Sequence, residues 1–302
     1  MYFIELADSS NIEKYRNINP DIASMLSQYT DTDFDYCAVI AFFPGQAVGL
    51  AIARDIRYKG RWEFSLLFVL PKFRRIGIAR ALAARLEQAV AGKQGVALFM
   101  TFRPDTPFAK SMQPLLESAG YELHDQTINV YRSKAADLCE NIGWVKDYTI
   151  TELYEKDSVQ LGEYEFFKWH QLKEEDIKYI EDSKETQYPL WAYPLNAQKS
   201  IRKDMSIGIR HTDRVIGWIL TGHNVSDELG ILLSFMHDQY RGTPLFLMAY
   251  ATILQLQVKA DITYITTSIL SSNKPMLSFM ENAFDNRIQS AWHEIRMIKN
   301  LQ

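Results

Sequence analysis

A chain of 302 residues, 47% of them hydrophobic, has apolar material for two cores and falls outside the disordered class. Its 33 basic and 37 acidic residues leave a formal net charge of −4, so no global field attracts nucleic acid or an anionic bilayer, and any anion binding has to be local. Cys37 and Cys139 provide neither a disulfide framework nor a metal-ligand spacing, the start Met1-Tyr2-Phe3-Ile4-Glu5 lacks a basic region followed by a long apolar run, and a cytoplasmic location is expected. Val215 to Leu220, among the most apolar runs, is followed by Gly222, His223 and Asp227, well short of membrane-spanning length, so no transmembrane segment is expected.

In chain order, a strand is predicted at Tyr2 to Leu6, a helix near Asn11 to Tyr15, and strands at Ala47 to Ala53 and Phe64 to Leu70. A helix follows from Ile78 to Ala91 and a strand from Val96 to Phe102. The stretch from about Ser133 to Gly162, with its charged run Glu152 to Asp157, reads as a helical connector. Beyond it come a strand near Tyr164 to His170, a helix from Glu174 to Ser183, strands at Val215 to Thr221 and Leu229 to Met236, a helix from Pro244 to Val258, and a strand at Tyr264 to Ile269.

The order after the connector repeats the order before it. Phe73-Arg74 lies opposite Tyr240-Arg241, from 73 to 240, a spacing of 167. Lys110-Ser111-Met112 lies opposite Lys274-Pro275-Met276, and Glu117-Ser118-Ala119 opposite Glu281-Asn282-Ala283, both at a spacing of 164. The alternation of strands and helices points to an α/β fold with one mixed sheet per half, divided as 1–135, a connector at 136–162, and 163–302.

The segment Phe64 to Arg80 passes from an apolar strand through the basic loop Pro71-Lys72-Phe73-Arg74-Arg75-Ile76-Gly77 into a helix opening Ile78-Ala79-Arg80. Helix N-terminal N–H groups lack intrahelical acceptors and, with the helix dipole, favour an anion close to the backbone. Gly77 permits close approach, Ala79 keeps the first turn uncluttered, and Arg74, Arg75 and Arg80 add local positive charge. An ordinary strand-to-helix turn carrying a few arginines is the alternative reading of the same residues.

Val69-x-Pro71-x-Phe73-Arg74-Arg75-x-Gly77-Ile78-Ala79 resembles the GNAT superfamily signature, in which a Gln or Arg is followed after two residues by Gly and, one residue on, by Gly or Ala. The Gly49 strand and the turn Ala119-Gly120-Tyr121 fit as well, and the resemblance spans about Tyr2 to Tyr131. It implies two tandem GNAT-like domains, each a mixed, mostly antiparallel sheet with splayed central strands flanked by helices. It further implies that acetyl-CoA is the acyl donor, its pantetheine arm bonded to the backbone of Leu67, Phe68 and Val69 and its pyrophosphate to the amides of Arg75, Ile76, Gly77, Ile78, Ala79 and Arg80.

Attack on a thioester requires a neutral amine, and an alkylamine with a pKa of about 10 is protonated at pH 7, so a base has to take a proton. Glu63, eleven residues before Arg74, resembles in placement the base glutamate of the histone-acetylating branch. Strand alternation puts it on the face of Ser65 and Leu67. A strand-end carboxylate near Arg61 is the alternative. Where family members often place a tyrosine as general acid this chain has Leu116; either Tyr121, Tyr131 or His124 substitutes or the thiolate leaves without enzyme help, and no acid is assigned.

In the second half the matching loop reads Asp238-Gln239-Tyr240-Arg241-Gly242-Thr243-Pro244-Leu245-Phe246, with Pro244 in place of the Gly and Phe246 in place of the Ala. Proline has no amide donor and a large side chain obstructs a pyrophosphate, so this half is expected to be degenerate as a cofactor site. Its run Gln187 to Pro194 either clasps an acceptor or buries apolar surface at the seam between the halves. The expectation is an N-acyltransferase acting from acetyl-CoA on a primary amine of a small molecule. The alternatives are an acyltransferase or decarboxylase using another acyl-CoA, and a non-catalytic acyl-CoA-binding protein.

Overall fold

The computed structural model describes residues 2–7, 24, 35–44, 46–197, 201–225, 227–284 and 287–301; the helix expected near Asn11 to Tyr15 lies outside them. Two compact units form. The first comprises Met1–Thr127 together with His293–Gln302, the second Ile128–Trp292.

In the first unit, strands β1 (Phe3–Ala7), β2 (Tyr36–Phe43), β3 (Gln46–Tyr58) and β4 (Arg61–Val69) pair in sequence order, all antiparallel. Both faces of β2 are buried: Cys37, Val39 and Ala41 enter one core and Ala38, Ile40 and Phe42 the other, which explains the near-continuous apolar run. Helix α1 (Ile78–Gly92) buries Ile78, Leu82, Ala83, Leu86 and Val90 as one stripe against the first of these cores. Gly49 on β3 makes that packing fit, because a Cβ there would lie 2.9 Å from Leu82 Cδ1. Strand β5 (Ala97–Phe102) runs parallel to β4, helix α2 (Pro107–Ser118) follows with Thr106 capping the Ala109 amide, and β6 (Glu122–Leu123) is short.

The other edge of β5 is occupied by the chain's last strand, Ser290–Asn300, antiparallel from Ile295↔Phe102 to Asn300↔Ala97. The second unit is built on the same plan from β7 (Ile128–Lys134), helices α3 (Ala135–Asn141) and α4 (Gly143–Tyr148), strands β8 (Ser158–Leu161) and β9 (Tyr164–Lys168), helix α5 (Glu174–Asp182), strands β10 (Ile207–His211), β11 (Arg214–Val225) and β12 (Glu228–Met236), helix α6 (Leu245–Lys259), strand β13 (Tyr264–Leu270) and helix α7 (Lys274–Ala283). Here β12 and β13 are the parallel pair, and β7 lies antiparallel on the other edge of β13. The strand that follows the first unit's β6 thus serves the second unit, and the chain's last strand serves the first. Strand pairing carries no local sequence mark, and for that reason a division at 135 and 163 does not coincide with these units. Nor are residues 136–162 a bare connector, since Leu138, Cys139, Val145 and Leu153 are buried in the second unit's core with Ala249, Ile253 and Leu254 of α6. Among the described residues no helix is long and apolar enough to cross a membrane.

One polar cluster fastens the last strand into the first unit. Lys299 Nζ donates to Glu87 Oε2 on α1 at 2.6 Å and to the Ala119 carbonyl behind α2 at 2.7 Å. Tyr121 is buried beside Glu87, and burial and the Glu87 charge both raise its hydroxyl above the ordinary phenol range. Replacing Lys299 strands a largely buried carboxylate and a carbonyl, so Lys299→Met is expected to cost about 2 kcal/mol. Urea denaturation of parent and variant checks this, and equal midpoints would mean that the cluster contributes nothing to holding the strand.

Candidate active site

Strands β4 and β5 pair only over Arg61↔Ala97, Trp62↔Leu98 and Glu63↔Phe99, and then part. The register of β4 on β3 slips at the same place: Ile52 faces Leu66 and Ala53 faces Phe64, which leaves Ser65 as a bulge. Beyond the bulge, the Leu70 N–H donates to the Val48 carbonyl at 2.9 Å. Antiparallel alternation then turns the N–H and C=O of Phe68 toward β3, and those of Leu67 and Val69 toward the open side. Of the three residues expected to meet a ligand through their backbone, two present those groups to the gap. The Val69 carbonyl is already engaged by Arg74 Nε at 2.8 Å.

That bond gives Arg74 a structural task, bending the chain back over the strand end, while Phe73 packs on Phe43 with ring centroids 5.3 Å apart. The chain then turns through two left-handed residues, Arg75 at φ 69° and Gly77 at φ 90°, before α1 begins at Ile78. Among the described residues nothing accepts from the backbone N–H of Arg75, Ile76, Gly77, Ile78, Ala79 or Arg80; the first engaged amide is that of Ala81, which donates to the Gly77 carbonyl at 3.1 Å. Successive free amides in such a turn form an anion-binding concavity at the positive end of a helix. Among the described residues a Cβ on Gly77 would have only the Tyr2 hydroxyl within 4 Å, at 3.7 Å, and none of them fills the space in front of the loop. Arg75 is exposed, and Arg80 Nη2 donates to the Ser118 Oγ at 3.1 Å.

Glu63 occupies the fork of the two strands. The bulge corrects the alternation expected for it. Trp62, Phe64, Leu67 and Val69 all pack in the core beneath α1, whereas Leu66 and Phe68 pack on the opposite core. Glu63 therefore shares its face with Leu66 and Phe68, away from α1, and not with Leu67. Its Oε2 accepts from Arg54 Nη2 at 2.5 Å. Leu116 is fully buried, Tyr121 is walled into the core beside Glu87, and His124 Nδ1 accepts from the Gln126 amide at 3.1 Å. Tyr131 belongs to the second unit.

The second unit preserves this scaffold and fills it. Arg241 Nε reaches the Met236 carbonyl at 3.2 Å as Arg74 reaches that of Val69, Gly242 adopts φ 84° where Arg75 has φ 69°, and Leu232 is skipped in the β11–β12 register as Ser65 is in the first unit. Its amides differ: that of Thr243 donates to the Tyr240 carbonyl at 3.3 Å and Pro244 has none. Where the first unit has Ala79, Ala83 and Gly120, the repeat spacings place Phe246, Tyr250 and Phe284. These rings join Trp144 and Phe279 in one cluster, with Phe246 6.1 Å from Phe279 and Tyr250 5.7 Å from Phe284. Burial pushes the Tyr250 hydroxyl up to about 12, and it bonds Thr267 Oγ1 at 3.1 Å. The Gln187 to Pro194 run mostly builds this unit's own core: Tyr188 packs on Trp218 at 5.3 Å, while Trp191 is 54% exposed.

Residues 4–120 match the acetyltransferase (GNAT) family. Over its full length the chain superposes on a tandem GNAT protein from the clavulanic acid biosynthesis pathway, with a TM-score of 0.66 at 13% identity, covering 100% of this chain and 99% of that one. The chain's first unit carries a GNAT-family domain, and the whole chain has the tandem GNAT fold. A GCN5-related N-acetyltransferase from Sphaerobacter thermophilus shares the tandem GNAT fold at TM-score 0.61 and 14% identity, covering 100% and 96% of the two chains. So does the GCN5-related glucosamine N-acetyltransferase region of a fungal multi-domain GH3 β-N-acetylglucosaminidase, at TM-score 0.65 and 11% identity, covering 99% of this chain and 38% of that one. At these identities the superpositions speak to the fold. No curated protein sequence matches the chain.

Within this tandem GNAT fold the two loops make opposite forecasts. Gly77→Glu adds a charged side chain to the open space and a backbone strain of about 1–2 kcal/mol, and is expected to abolish acetyl-CoA binding in a folded protein. Arg241→Ala should leave the affinity unchanged. Calorimetric titration reads both, and a stoichiometry of two acetyl-CoA per chain would contradict the reading of the second loop.

Proposed function

We propose that the first unit binds acetyl-CoA and transfers its acetyl group to the primary amine of a small molecule. The observation that carries this reading is the run of six unengaged amides, Arg75 to Arg80, beside a strand whose open edge starts at Glu63. The residues fit the group: the cradle is built from backbone N–H, its one glycine faces open space, and its arginines supply positive charge where the chain as a whole has none to spare.

Acetyl-CoA supplies the activated acyl group and a thiol with a pKa near 8.5 to 9 that departs without strong acid assistance. The amides of Arg75 to Arg80 hold its pyrophosphate. The N–H groups of Leu67 and Val69, turned to the open side, hold the pantetheine arm and polarise the thioester carbonyl. Arg74 keeps the Val69 carbonyl occupied and so fixes the end of that edge. Glu63 takes the proton that the amine loses, directly or through a water. Oε2 stays with Arg54, which orients the carboxylate, and Oε1 is left for the proton. The amine reaches Glu63 from the sheet face away from α1, so donor and acceptor enter from opposite sides.

A thiol-release screen with acetyl-CoA against pools of amines, amino acids, polyamines and aminosugars tests the reading, because free CoA appears only with turnover. Glu63→Gln keeps the shape but cannot accept a proton, so turnover at pH 7 should fall about 10²-fold while acetyl-CoA affinity holds. As pH rises toward the amine's own pKa of about 10, more acceptor arrives neutral and the variant should approach the parent. Rate against pH at saturating acetyl-CoA provides the comparison; parental activity of Glu63→Gln at pH 7 would move the base role elsewhere.

A further inference from the structure

The chain's last strand brings to the fork a group from the far end of the sequence. Ile295 and Met297 are buried in the core beneath α1, so alternation turns Arg296 to the opposite face, the one Glu63 occupies. There Arg296 lies opposite Thr101, its Nε 3.4 Å from Thr101 Oγ1, and its guanidinium carbon is 4.6 Å from the centroid of the Phe99 ring. Phe99 is the residue that faces Glu63 in the last pair before β4 and β5 part.

Three arginines, Arg54, Arg61 and Arg296, share this face with Glu63. Arg54 is committed to Glu63, and Arg61 lies against the Tyr58 ring at 5.6 Å. Arg296 is half-buried, and among the described residues no carboxylate lies within ion-pair distance of it. Burial presses its guanidinium below the ordinary arginine range, the Glu63 charge acts against that, and Arg61 adds to it. A partly desolvated cation with no ion-pair partner among the described residues is costly, and a bound anion offsets that cost. A planar guanidinium fork set against an aromatic ring is also suited to take a carboxylate in two parallel hydrogen bonds.

We propose that Arg296 anchors a carboxylate of the acceptor, so that the substrate class is an amine that also carries a carboxylate, held by Arg296 while its amine is presented to Glu63. This rests on the amine-acyltransferase reading above. Arg296 is then a specificity determinant supplied by a strand that is remote in sequence from every other residue of the site.

The test uses acceptor pairs that differ only by the carboxylate: lysine and 1,5-diaminopentane, ornithine and 1,4-diaminobutane, phenylalanine and 2-phenylethylamine. Thiol release is followed for the full-length parent, Arg296→Lys and Arg296→Gln. The parent should favour the acid of at least one pair by about tenfold or more in kcat/KM, and Arg296→Gln should shrink that ratio by about 10- to 100-fold, chiefly through KM, with Arg296→Lys between. A ratio unchanged in Arg296→Gln, or a parent that favours the decarboxylated member of every pair, overturns the proposal and leaves the transferase reading intact. If no amine releases thiol, the transferase reading fails instead, and calorimetric titration of parent and Arg296→Gln with the three amino acids decides the anion site alone. Binding lost in the variant supports it; binding that is equal or absent in both overturns it. Circular dichroism of each variant separates loss of the site from loss of the fold.

Discussion

Two parallel strands that separate after three pairs leave backbone donors and acceptors that the sheet cannot use. In the first unit this separation sets everything else. It exposes the Leu67 and Val69 edges, it gives the Val69 carbonyl to Arg74, and it directs the chain into a turn whose amides find no protein acceptor. A fold tolerates unmet backbone groups only where water or a ligand meets them, so the open edge and the open loop are two parts of one demand. The second unit meets the same demand internally. Its parallel strands part after four pairs, but Pro244 deletes a donor, Thr243 uses another, and Phe246, Tyr250, Phe279, Phe284 and Trp144 close over the space.

The comparison of the two units also separates what is scaffold from what is chemistry. The arginine bonded back five residues to a strand-end carbonyl occurs in both, so Arg74 and Arg241 belong to the scaffold. The contact that steadies the loop occurs in both with its chemistry changed: Phe43 on Phe73 in the first unit, His211 Nδ1 to the Tyr240 hydroxyl at 2.7 Å in the second. The small residues Gly77, Ala79, Ala83 and Gly120 stand where the second unit has Pro244, Phe246, Tyr250 and Phe284, and they distinguish the unit with an open loop. The difference between the two loops is thus more one of volume than of charge.

Much of this was legible in the sequence. The loop announced itself because its signals are local: Pro71, the arginine pair, Gly77 and the apolar strand before them. Pro244 and Phe246 marked the second loop as closed for the same reason. What escaped was non-local. The bulge at Ser65 moved Glu63 to the other face of β4, and a slip of one residue leaves no trace in composition because Leu66, Leu67, Phe68 and Val69 suit either face. Strands β2, β6, β7, β8 and β10 and the last strand were not anticipated, and nothing in Ser290 to Asn300 says that its partner is β5, nearly two hundred residues away. With that strand went Arg296, and the Arg54–Glu63 pair was likewise invisible until β3 and β4 were in register.

The central claim is that the amides of Arg75 to Arg80 receive the pyrophosphate of the acyl donor and that the matching amides of the second unit do not. Residue-resolved amide hydrogen exchange, with and without saturating acetyl-CoA, measures this at the groups concerned. The account predicts slowed exchange across Arg75 to Arg80 and at Leu67, with Gly242, Leu245 and Phe246 unchanged. Protection confined to the second unit, or none in either loop while acetyl-CoA is bound, would contradict it.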